Sequence, residues 1–108
     1  MNRMLERVKL AKRIQTSVFD AELLDLISAA IADIRHAGAR FEATEIYDEY
    51  SDELTDYEIA DPLVSRAVVT YCVMNFGSPD DYDRLKASYD EQKGQLRESS
   101  DYGMEVVG

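Results

Sequence analysis

The chain has 108 residues, enough for one modest hydrophobic core and too few for two, and its apolar share of 45% fits a soluble globular domain. Its net charge of −10 at pH 7 comes almost wholly from one acidic segment, whose field repels nucleic-acid phosphate, so ordinary high-affinity DNA binding by that surface is not expected. No apolar run approaches the roughly 20 residues of a membrane span and the opening residues lack the apolar centre of a secretory signal, so a cytosolic start and no membrane partner are expected.

Met4, Val8 and Ala11 stand at helical spacing, with Arg3, Arg7, Lys9, Lys12 and Arg13 around them, which predicts a short basic helix over residues 4–14. Thr16 and Ser17 then offer N-cap oxygens, and Asp20 and Glu22 suit the positive end of a second helix. Leu23, Ile27, Ala30, Ile31 and Ile34 give that helix one apolar stripe, and Gly38 is its natural stop.

Residues 41–61 hold nine carboxylates (Glu42, Glu45, Asp48, Glu49, Asp52, Glu53, Asp56, Glu58 and Asp61) and no lysine or arginine. Residues 1–40 carry seven basic against five acidic side chains, and residues 62–108 five against eight, so this one segment supplies nearly the whole imbalance. Within it Ile46, Tyr50, Leu54 and Tyr57 recur at steps of four, four and three, which suits a short helical piece inside a long exposed connection. Without a partner to neutralise it, that connection is expected to be mobile.

At Asp61-Pro62 a favoured N-cap precedes the residue best tolerated at a first helical position. The run LVSRAVVTYCVMNF that follows contains one charge, Arg66, so it is expected to be the central helix, covered on most sides. Gly77 ends it, Ser78-Pro79 repeats the start signal, and Asp80, Asp81 and Asp83 place negative charge in the first turn of a last helix. A connection of about two residues would force the last helix to return antiparallel along the third, on a seam of Tyr82, Leu85, Tyr89, Gln92 and Leu96. The spacing leaves Tyr82 and Tyr89 open between core and subunit contact. After Arg97 the period is lost.

The expected fold class is therefore all-α: a small bundle of four main helices, with an acidic loop or short helix between the second and third and a flexible C-terminal tail. One domain is expected over residues 1–98, with residues 99–108 as the tail and Tyr102, Met104, Val106 and Val107 as its docking side chains.

Chemistry is scarce. His36 falls at the end of a helix, where an imidazole meets terminal carbonyls, and Cys72 falls on the most apolar helix, where a thiol acts as a small hydrophobe. The five glycines fit no phosphate-binding or dinucleotide pattern. Counted from Asp48, Glu53 occupies the position where a calcium loop needs glycine, and helix capping explains Asp80, Asp81 and Asp83 without a metal. No catalytic, cofactor-binding or metal residue is assigned. The first two helices superficially resemble a helix-turn-helix, but Asp20, Glu22, Asp25 and Asp33 give the second the wrong sign for a major groove. What remains is a protein that works by contact: an assembly subunit, or alternatively an acidic DNA mimic or regulatory protein that binds a basic partner.

The run DPLVSRAVVTYCVMNFGSPDDYDRLKASYDEQKGQLRESSDYG resembles the C-terminal half of the phage head-tail connector family, also described as head-completion or DNA-packaging adaptors. VKLAKRIQTSVFDAELLDLISAAIADI is similar to that family's first half, and the two stretches cover about two-thirds of the chain. The resemblance implies a non-enzymatic helical subunit, without cofactor, that assembles with itself as a ring of about twelve or thirteen copies at the head-tail junction of the virion. Portal protein above and a tail-proximal completion protein below are the implied partners, with genomic DNA passing through without specific binding. Assembly in the bacterial cytoplasm is implied too. On this reading Asp48, Glu49, Asp52, Glu53 and Asp56 are candidate channel residues that repel DNA. Arg7, Lys9, Lys12, Arg13, Tyr82, Tyr89 and the four tail side chains are candidate contacts to a neighbour or the portal. Residues 41–61 depart from the family pattern by being longer and more acidic.

Overall fold

The computed structural model of the protein describes the backbone of residues 3–107 and the side chains of residues 3–98. In chain order it contains α1 (Met4–Lys12), α2 (Asp20–His36), β1 (Thr44–Tyr47), β2 (Leu54–Glu58), α3 (Pro62–Asn75) and α4 (Tyr82–Val107). The fold is mostly helical but not the all-α bundle expected, because the acidic connection is an antiparallel β-hairpin.

The physical reason lies in the charges. A helix through this segment would stack Glu45 on Glu49, Asp48 on Asp52, Glu49 on Glu53 and Asp52 on Asp56, and each like-charge pair four residues apart is unfavourable. In the hairpin Thr44 faces Glu58, Glu45 faces Tyr57 and Ile46 faces Asp56; Tyr47 then faces Leu54, which leaves Thr55 as an extra residue. The Thr55 hydroxyl donates to the Ile46 carbonyl at 3.1 Å and so holds this bulge. Threonine, isoleucine and tyrosine fit a pleated strand, and Asp48, Ser51 and Asp52 supply the turn.

α3 is the centre. It packs against α1, α2 and α4, and buries Val64, Ala67, Val68, Cys72 and Met74. Its start is capped as expected, with Asp61 Oδ1 accepting from the Leu63 and Val64 amides at 2.9 and 3.3 Å. The predicted stripe of α2 is wholly buried against it. Gly38, at φ 110°, takes the chain out of α2 in a conformation that side chains resist; a Cβ there would also meet Arg97 Cγ at 3.1 Å.

Other boundaries differ from expectation. Thr16 accepts from the Val18 amide in a local turn, and Phe19 holds the cap position of α2 without a side-chain bond. α4 begins at Tyr82, so the link from α3 is six residues (76–81), and Asp81 precedes the helix paired with Arg84. Leu85 donates its amide to the Asp81 carbonyl, which closes the first turn. At the far end α4 continues without a break to Val107, where a tail was expected. The side chains of Tyr102, Met104, Val106 and Val107 lie outside the described residues. No described helix is long and apolar enough to cross a membrane.

Candidate functional site: an acidic hairpin tip and a basic helix end

β2 is held on both faces. Tyr57 is buried on one side, beside Ser28, Ile31, Ala32 and Arg35 of α2, in an open groove of about 340 Å³. Asp56 is buried on the other, where its Oδ1 accepts from the Leu5 amide of α1 at 2.9 Å and from the Tyr57 amide at 2.7 Å. α1 has no capping side chain of its own at Arg3, so Asp56 satisfies an N–H of its first turn from across the fold. A bridge between Arg3 and Glu58 extends this junction. Sequence spacing gives no sign of it, because the partners are 51 residues apart.

Residues 48–53 form the tip. The Asp48 carboxylate accepts from the Ser51 hydroxyl at 2.8 Å and the Ser51 amide at 3.1 Å, and these bonds, the hydroxyl first, hold its carboxyl below the usual carboxylate range. The Asp52 backbone is left-handed at φ 58°, and the Asp48 amide donates to the Glu53 carbonyl at 2.8 Å. Glu49, Asp52 and Glu53 are exposed and enter no salt bridge among the described residues. Of the five candidate channel carboxylates, then, four sit together at the tip and Asp56 lies inside the fold. Two exposed rings belong to the hairpin that charge counting alone does not single out: Tyr50 in the tip, 89% exposed, and Tyr47 at the end of β1, 52% exposed. The Tyr47 hydroxyl donates to Glu45 at 3.0 Å, which raises its pKa.

The basic candidates divide similarly. Lys9 pairs with Asp20 at 2.8 Å, and Lys12 lies 5.8 Å from the centre of the Phe76 ring, which itself meets Phe19 edge-on at 5.4 Å. Both lysines therefore bind α1 to the rest of the fold. Arg7 and Arg13 enter no salt bridge among the described residues, and Leu10, 75% exposed, stands three residues from each; Val18, in the turn before α2, is 78% exposed.

Tyr82 is exposed beside Met74 and Pro79. Tyr89 is core: its ring meets Tyr71 edge-on at 5.4 Å, and its hydroxyl donates to Asp33 at 2.6 Å. Lys93 reaches the same carboxylate at 3.1 Å. Burial alone would push Asp33 up, but the bonds from Tyr89 and Lys93 outweigh it and hold the carboxyl below its ordinary value.

Among the described residues no group of histidine, cysteine or carboxylate side chains is gathered for a metal ion. The Cys72 thiol is buried and pushed up to about 12 by that burial. It is therefore expected to resist a thiol reagent in mildly alkaline buffer while the protein is folded and to react fully once denatured; rapid labelling of native protein would show the α3 core opening.

The features that stand out among the described residues are surfaces, an acidic aromatic tip and a basic helix end, on a mainly helical scaffold, as suits a protein that meets partners by contact. Comparison with known families agrees. The family described as phage connector protein matches residues 4–103, and the chain belongs to it. No curated protein and no solved structure matches. Membership makes the chain a phage connector, a structural virion component that meets other head and tail proteins.

Proposed function

We propose that the protein is a head-tail connector subunit that forms a ring below the portal, joins capsid to tail and surrounds the path of the DNA. The family match over residues 4–103 carries this reading. A net charge of −10 supports it, because a passage for DNA works only if phosphate does not adhere to its walls. Two different exposed patches on one subunit also suit a ring, which needs unlike surfaces meeting head to tail and closing after a fixed rotation. Residues 99–108, at the end of α4, are the proposed docking segment for portal or tail-proximal protein.

Mass measurement by light scattering, with the protein alone and with portal, tests the proposal. Concentration-dependent or portal-dependent assemblies of many copies are expected. A monomer under both conditions that instead binds a basic protein would favour the DNA-mimic alternative and overturn the connector ring.

A further inference from the structure

We infer that the hairpin tip of one copy docks on the α1 end of a second copy, with Tyr50 and Tyr47 packing against Leu10 and the tip carboxylates facing Arg7 and Arg13. The inference rests on the reading that the chain assembles from identical copies, and it says which surfaces meet.

A tip that served only to repel phosphate would need carboxylates and no rings, since exposed aromatic faces attract bases by stacking. Here the most exposed tyrosine among the described residues, Tyr50, sits between Glu49 and the Ser51-Asp52 turn. Two aromatic rings ringed by one sign of charge make a surface suited to a partner with apolar knobs and the opposite charge. The end of α1 is such a partner: Leu10 is 75% exposed, Arg7 and the C-cap Arg13 stand three residues to either side of it, and neither arginine enters a salt bridge among the described residues.

Rigidity favours the contact as well. The tip is tied internally by Asp48 and Ser51, and its strand is anchored through Asp56, so little order is lost on docking. α1 is likewise fixed by Lys9 and Lys12. The two patches are different surfaces of the same chain, so the contact is heterologous and propagates from copy to copy until it closes. It is also small. Two tyrosines bury about 150–250 Å² each, which with a matching area opposite stays below the roughly 1,200 Å² of a stable standard interface. Single junctions are therefore weak, and ring closure or the portal supplies the multivalency that makes them persist.

The test uses three full-length proteins: wild type, a tip variant (Glu49→Lys with Tyr50→Ser) and a patch variant (Leu10→Ser with Arg13→Glu). All changes are on exposed side chains, and unchanged thermal unfolding by circular dichroism establishes that each variant folds. In sedimentation equilibrium at the highest soluble concentration, wild type is expected to self-associate, about tenfold more weakly when salt is raised from low to high. Each variant alone is expected to stay monomeric, and a mixture of the two to reach at most a one-to-one dimer, because one good tip and one good patch make a single junction that cannot propagate or close. If wild type associates only on the portal, the same comparison is read there as portal-bound mass.

Variants that assemble like wild type would overturn the docking inference and leave the connector reading standing. So would a mixture that assembles beyond a one-to-one dimer, or a tip variant that gains DNA affinity with association unchanged, which would return the tip to the channel wall. Wild type that never associates, free or with portal, would overturn both.

Discussion

Replacing Asp56 with alanine is expected to destabilise the protein by about 2–4 kcal/mol, because it leaves the Leu5 and Tyr57 amides without their shared acceptor inside the fold. For a domain of this size that corresponds to a fall in Tm of roughly 10 °C or more. Asp56→Asn keeps an acceptor oxygen of the same reach and is expected to recover about half of the loss. The readout is paired urea unfolding of the three proteins. An alanine variant within about 0.5 kcal/mol of wild type would mean that the bond from α1 to the hairpin is not maintained in solution. Function follows from the same bond: with β2 released from α1, the tip loses its fixed position and assembly should fall with it, although residue 56 is buried within its own fold.

The second large effect is at Tyr89. Its ring fills the junction of α3 and α4 and its hydroxyl holds Asp33 of α2, so one side chain joins three helices. Tyr89→Ala is expected to cost about 3–5 kcal/mol through the cavity it leaves, while Tyr89→Phe keeps the ring and should cost about 1–2 kcal/mol for the lost bond. The pH dependence separates the two contributions. Asp33 is held below its ordinary value of 3.8, so its contribution is fully present above that value and is lost as pH falls through the lower folded-state value. The gap between wild type and Tyr89→Phe should therefore be widest near neutrality and narrow in acid, whereas the cavity cost of Tyr89→Ala should persist. A gap for Tyr89→Phe that is constant across the acid range would remove Asp33 from the account.

These two residues mark where sequence reasoning reached and where it stopped. The apolar stripe of α2 and the Asp61-Pro62 start of α3 were legible because their causes are local: a period of 3.6 residues and a cap bonding to amides two and three residues on. Tyr89 was legible as a seam residue, but only the fold decides that it is core and not contact. The hairpin was misread because Ile46, Tyr50, Leu54 and Tyr57 mimic a helical stripe by coincidence of spacing. The contrary signal was present in the carboxylates themselves, whose repulsion at four-residue spacing disfavours a helix, together with Asp48, Ser51 and Asp52 as turn formers. Asp56 could not be read at all. Nothing near it in sequence distinguishes it from Asp52 or Glu53, and its burial depends on a helix start 51 residues away.

That difference changes how the acidic segment is understood. As a loose run it would be a cloud of charge, useful only for repulsion. As a hairpin anchored through Asp56 and Tyr57 it presents four carboxylates and two rings in a defined arrangement, and a defined arrangement can select a partner.

The most direct measurement is a reconstruction by electron cryomicroscopy of the protein bound to its portal. The account predicts a closed ring in which the tip around Tyr50 of each subunit rests on Leu10 and Arg13 of the next. Separate, unlinked subunits on the portal, or a closed ring with every tip standing free in the channel, would contradict it.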